Sequence, residues 1–73
     1  MKTADEMFRE LGYEIYKSPP WAVSYYRNKD NRNIFLDMAG RTISVFMHGV
    51  RTHMEYNEIL ACAQLIREME VNT

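Results

Sequence analysis

Few side chains in this chain can do acid–base, nucleophilic or metal chemistry, and their spacing gathers none of them. His48 and His53 lie five residues apart, on either side of Gly49. That is not the i, i+4 spacing that sets two imidazoles on one helical face, and no cysteine or carboxylate cluster completes a ligand set. Both histidines read as surface residues, and no metal or cofactor is expected. Cys62 is the only cysteine. A cysteine beside a histidine can be a nucleophile, but Cys62 falls mid-helix beside an apolar stripe, where a thiol serves as a small core group. No glycine-rich phosphate loop, G-x-S-x-G or H-E-x-x-H occurs. The acidic residues of the helical segments fall at capping or solvent positions and do not converge. The inventory points away from an enzyme and toward a protein that binds. The side chains suited to binding are three aromatics, Tyr26, Phe35 and Phe46, and three cations around one hairpin, Arg27, Lys29 and Arg32.

The elements that must position these six residues follow from pattern. Thr3 is a helix N-cap with Glu6 at N3, a capping box. Ala4, Met7, Phe8 and Leu11 share one face, and Gly12 supplies the left-handed stop, so a short helix is expected over 3–11. Residues 13–20, "YEIYKSPP", read as extended, with 13–17 a candidate edge strand. Three strands follow, "WAVSYYR", "NIFLDM" and "RTISVFMH". A four-residue loop at 28–31 sets Tyr25 opposite Ile34 and Val23 opposite Leu36. An Ala39–Gly40 turn, with Gly40 free to take a positive φ, sets Leu36 opposite Ile43 and Ile34 opposite Val45. Both loops then agree on one apolar face: Trp21, Val23, Tyr25, Ile34, Leu36, Met38, Ile43, Val45 and Met47.

A second capping box, Thr52 with Glu55, predicts a helix over 53–70. Its apolar stripe is Tyr56, Ile59, Leu60, Ala63, Leu65 and Ile66. "VNT" at the end reads as a frayed tail. The expected fold is a single α+β domain over 1–73, in the order α-β-β-β-α. Its antiparallel sheet has three strands, or four with 13–17, and both helices pack on one face.

Such packing leaves the other sheet face in water. That face holds Ala22, Ser24, Tyr26, Asn33, Phe35, Asp37, Thr42, Ser44, Phe46 and His48. Small and polar residues belong there, whereas Tyr26, Phe35 and Phe46 on adjacent strands form an apolar patch suited to a partner. Residues 17–53 carry a net charge of +4, against −2 for 1–16 and −3 for 54–73. Arg27, Lys29 and Arg32 flank the first hairpin loop, and Arg41 and Arg51 lie elsewhere around the sheet. Aromatics with nearby cations can stack single-stranded nucleic acid, although the pI is about 6.1 and recognition-motif spacing is absent. A homodimer formed through the apolar face is the third reading.

The lone cysteine suits a reducing compartment, and "MKTADEMF" lacks the apolar core of a secretory leader. No run of roughly 20 apolar residues suggests a membrane span. A cytoplasmic protein without membrane partners is expected. At 73 residues the chain has little room for both a catalytic cleft and a scaffold to hold it.

With these elements in place, "TADEMFRELGYE" followed by "YYRNKDNRNIFLD" resembles a group of small proteins encoded by phages and prophages of Gram-positive bacteria. These often begin T-x-x-E-[LM]-F-x-x-L-G-[FY]-x. A tyrosine-x-N-K-D hairpin follows, then an amphipathic C-terminal helix starting near T-x-E or T-x-x-E. The likeness spans most of the chain and departs at "SPPW" and "LACAQ". Its motifs are caps, a helix stop and a turn, and they carry no catalytic residues to transfer. The resemblance implies a protein in the cytoplasm of a bacterial host. It also implies an action by occupying a host protein, defence nucleases such as those of CRISPR systems included.

Overall fold

The computed structural model describes residues 1–17 and 21–71. The elements are α1 (Ala4–Glu10), β1 (Glu14–Tyr16), β2 (Ala22–Arg27), β3 (Arg32–Asp37), β4 (Thr42–Met47), β5 (Val50–Arg51) and α2 (Tyr56–Val71). The strands form one five-stranded antiparallel meander in chain order. The fold is α+β as expected, with two strands more than the three-strand reading. The expected extension through residues 18–20 and residues 72–73 of the expected tail lie outside the described residues, whereas Val71, expected in that tail, is the last residue of α2.

α1 is built as its sequence indicates. The Thr3 hydroxyl accepts from the Glu6 N–H, and the Glu6 carboxylate accepts from the Thr3 N–H. At the other end Gly12 takes a φ of 90°. The Gly12 N–H donates to the Arg9 carbonyl and the Tyr13 N–H to the Phe8 carbonyl, the double closure of a Schellman motif. The apolar contact that accompanies such a stop is present, with Tyr13 meeting Phe8 edge-to-face at 5.6 Å between centroids.

The predicted register holds. Val23 faces Leu36, Tyr25 faces Ile34, Leu36 faces Ile43 and Ile34 faces Val45. The first loop spans 28–31, a 3-10 turn Asn28–Asp30 closed by Asn31 in the left-handed region at φ 48°. The second loop differs from expectation. It runs from Met38 to Arg41, and Arg41, not Gly40, takes the positive φ, 54°. The Asp37 carboxylate accepts the Gly40 N–H and ends the ladder one pair early. A Cβ at Gly40 would stand 3.1 Å from Asp37 Oδ2, so the Asp37 carboxylate would have to shift by a few tenths of an ångström to admit one.

A third hairpin follows, with His48 and Gly49 both at positive φ, as a two-residue type I′ turn requires. The Thr52 N–H continues this ladder by donating to the Val45 carbonyl. Thr52 therefore does not cap α2, and the expected second capping box is not formed. The helix starts later, at Tyr56, with the Glu55 carbonyl accepting from the Ile59 N–H.

One face of the sheet carries the core. Phe8 of α1 stacks on Tyr25 at 3.7 Å, and Ala61, Cys62 and Leu65 of α2 join the same buried cluster as Val23, Tyr25, Ile34, Leu36 and Val45. Two expected members, Trp21 and Ile43, are instead exposed. α2 is rotated from its predicted seating. Its buried residues are Glu58, Ala61, Cys62 and Leu65, whereas Tyr56, Ile59, Leu60, Ala63 and Ile66 face solvent.

Candidate functional site

The side of the sheet away from the core is built from three rows. Strand pairing aligns Glu14, Tyr26, Asn33, Phe46 and Arg51 in one row, and Tyr16, Ser24, Phe35 and Ser44 in the next. Ala22, Asp37 and Thr42 form the third. Tyr16, Tyr26, Phe35 and Phe46 thus occupy four adjacent strands and alternate between two rows. Each is diagonal to the next, a spacing of roughly 7–8 Å between positions. Ser24, Asn33 and Ser44 fill the places between them. The result is a zigzag of rings separated by small polar side chains.

The three aromatics expected on this face are all there, and Tyr16 joins them from β1. Tyr16 is 53% exposed and Phe35 38%, while Tyr26 and Phe46 are half-buried. The Tyr26 hydroxyl donates to Asn31 Oδ1 at 3.2 Å. The Tyr16 hydroxyl donates to Glu14 Oε2 at 2.8 Å, and this acceptor, with its charge, raises the phenol above its ordinary value. The guanidinium of Arg51 lies 5.3 Å above the Phe46 ring. The ring-to-ring contacts of the described residues lie in the core, at Phe8–Tyr13 and Phe8–Tyr25.

The cations separate. Arg27 and Arg32 face each other in the ladder and share the side of Val23, Tyr25, Ile34 and Leu36, the core side. Arg32 is 2% exposed. Its Nε and Nη2 grip Glu58 at 2.7 and 2.6 Å, and Nη2 also donates to the His53 carbonyl. Arg27 is held bidentate by Asp30, donates to the Leu11 carbonyl and covers the Tyr13 ring at 4.8 Å. Lys29 alone of the three stays exposed. The expectation that Arg27 and Arg32 would be available to a ligand is corrected. Strand parity, not nearness to the loop, decides where they point.

Glu58 corrects a second expectation, that helix acids lie at the surface. Its carboxylate accepts from Arg32, from the Tyr13 hydroxyl and from the Glu55 N–H. Burial alone would raise this carboxyl, but those hydrogen bonds outweigh it and hold the group below its ordinary value. Burial, then the Glu58 carboxylate, raises the Tyr13 hydroxyl. No buried side-chain nitrogen or oxygen among the described residues lacks a partner, so the cluster is closed and holds the fold. The Cys62 thiol is buried and pushed up to about 12 by desolvation and then by Glu58, so it is not a reactive thiolate. No group of three metal-ligating side chains occurs among the described residues, and no described helix is long and apolar enough to cross a membrane.

Sequence pattern placed Tyr26, Phe35 and Phe46 because two loop lengths set their register. Tyr16 escaped because a three-residue strand behind a proline segment carries no register of its own. Its alternation with Ile15 was the available signal. No protein family, curated protein or solved structure matches the chain.

Proposed function

We propose that this chain is a non-enzymatic binding module that engages a protein through the open face of its sheet. In line with its resemblance to phage-encoded proteins, the partner is a host protein whose activity it modulates, defence nucleases being one class. The observation that carries the reading is the zigzag of Tyr16, Tyr26, Phe35 and Phe46 across four strands. Aromatic residues are enriched in the cores of protein-binding surfaces and among the side chains that carry their affinity. The face carries Glu14 and Asp37 beside Arg51, and Arg27 and Arg32, the two arginines expected to neutralise phosphates, are turned away and paired. Those charges favour a protein over single-stranded nucleic acid.

The test compares wild type with a Phe35→Ser/Phe46→Ser variant in affinity capture from host lysate, with captured proteins identified by mass spectrometry. A stoichiometric partner held by wild type and lost by the variant supports the reading. Capture that survives both substitutions rejects this face as the site. A labelled oligothymidine titration at low salt provides the contrast. Strong binding that falls steeply with salt would transfer the face to nucleic acid.

A further inference from the structure

α2 buries one side through Glu58, Ala61, Cys62 and Leu65 and turns a second apolar stripe outward. Tyr56 is 74% exposed, Ile59 49%, Leu60 43% and Ile66 40%, with Ala63 among them and also exposed. Their spacing, alternating three and four residues, is that of a helix–helix seam. The stripe does not end at the helix. Ile66 and Ile43 line one cavity of about 360 Å³ whose lining also includes Asp37, Arg41, Thr42 and Glu70, so the stripe reaches the inner edge of β4 across a groove of mixed polarity. Ile43 is 39% exposed.

We infer that this outward face of α2 pairs two copies of the chain, helix against helix and antiparallel. The area suffices. These side chains expose on the order of 600 Å² per copy, near the roughly 800 Å² per partner of a stable interface once a polar rim is added. A contiguous apolar patch of that size lies at the upper end of what a monomer exposes, and such patches often have a partner. The charges fix the direction. Arg67 is the only cation in α2. An antiparallel pair sets it level with Tyr56 of the other copy, on the same flank of the seam, where the guanidinium meets a ring. A parallel pair sets Arg67 against Arg67. Ala63, near the middle of the stripe, lets the two backbones approach. The surface is separate from the aromatic face, so a dimer leaves both copies of that face open.

Sedimentation and light scattering of the full chain from about 1 to about 500 µM test this. A mass rising from one copy to two is expected, with dissociation in the micromolar range. Ile59→Asp with Ile66→Asp gives a monomer at every concentration and an unchanged far-ultraviolet spectrum, because both side chains already stand partly in water. Tyr56→Lys with Leu60→Lys gives the same loss should the first pair disturb folding. Arg67→Glu weakens association about tenfold, and no change there overturns the antiparallel register. A wild-type monomer throughout, or a dimer that survives both double variants, overturns the proposal. So does a dimer abolished by Phe35→Ser/Phe46→Ser alone, which would place the contact on the open face.

Discussion

β2 and β3 present two unlike surfaces at the same hairpin end. On the core side Arg27 and Arg32 stand opposite one another, each saturated by a carboxylate. On the solvent side the next pair along, Tyr26 and Asn33, carries a ring and an amide, with Phe35 and Phe46 close by. Charge lies inside and aromatic surface outside, the reverse of the usual arrangement for a half-covered sheet. The inside costs little because the network is complete. Arg32 spends its donors on Glu58, the His53 carbonyl and, more weakly, the Met47 sulfur. The outside has no such internal reason. Arg51 covers Phe46 and Asn31 holds the Tyr26 hydroxyl, but Tyr16 and Phe35 stay exposed and retain surface for something else. The core side is explained by stability, and the open side asks for a partner.

That contrast can be broken most forcefully from within. Glu58→Ala leaves a buried guanidinium unpaired and should cost about 3–5 kcal/mol in urea denaturation. A loss below about 1 kcal/mol would mean that the pair is solvated and the contrast false. The same carboxylate has a pH signature. Its folded value is depressed, so its stabilisation is whole above its ordinary value of 4.5 and drains away as pH falls through the lower folded value. Stability measured from pH 7 down to pH 3 should therefore fall more steeply in wild type than in Glu58→Gln. Gly12→Ala comes next. It forces a side chain into φ 90° and sets its Cβ 3.3 Å from the Arg27 side chain, for about 1–2 kcal/mol. Thr3→Ala removes one half of the capping box and should cost about 1 kcal/mol. Smallest is the open face, where Phe35→Ser should shift stability by less than about 1 kcal/mol while weakening partner capture. A large stability loss at Phe35 would turn the aromatic face into a structural one.

The register of β2, β3 and β4 was legible because alternation and loop length constrain it independently. The seating of α2 was not. From Ile59 to Ala63 every residue is apolar or a cysteine, and Leu65 and Ile66 follow, so period alone fits two overlapping stripes. A pairing between residues 32 and 58, twenty-six positions apart, chooses between them, and nothing local signals it. β5 was hidden for a related reason. Two residues are too few to show alternation, and Thr52 looked like a cap until the ladder claimed its N–H. The aromatic site was therefore three-quarters visible, since Tyr16 depended on the one strand without a fixed register. The cations beside it were misplaced, because nearness to a loop says nothing of strand parity.

Tyr13 does more than end α1. It closes the helix through its N–H, packs on Phe8 through its ring and donates its hydroxyl to Glu58 at the start of α2. At the opposite ends of the same two helices, the Ala4 N–H donates to Glu68 at 2.8 Å. These two links span 45 and 64 residues of chain. The helices nearest the two termini are thereby latched to each other at both ends, and the hairpins lie within the closed ring so formed. Neither helix can fray alone without opening a latch. The regions most prone to local opening in a small protein here share one fate, and unfolding from either terminus must release both.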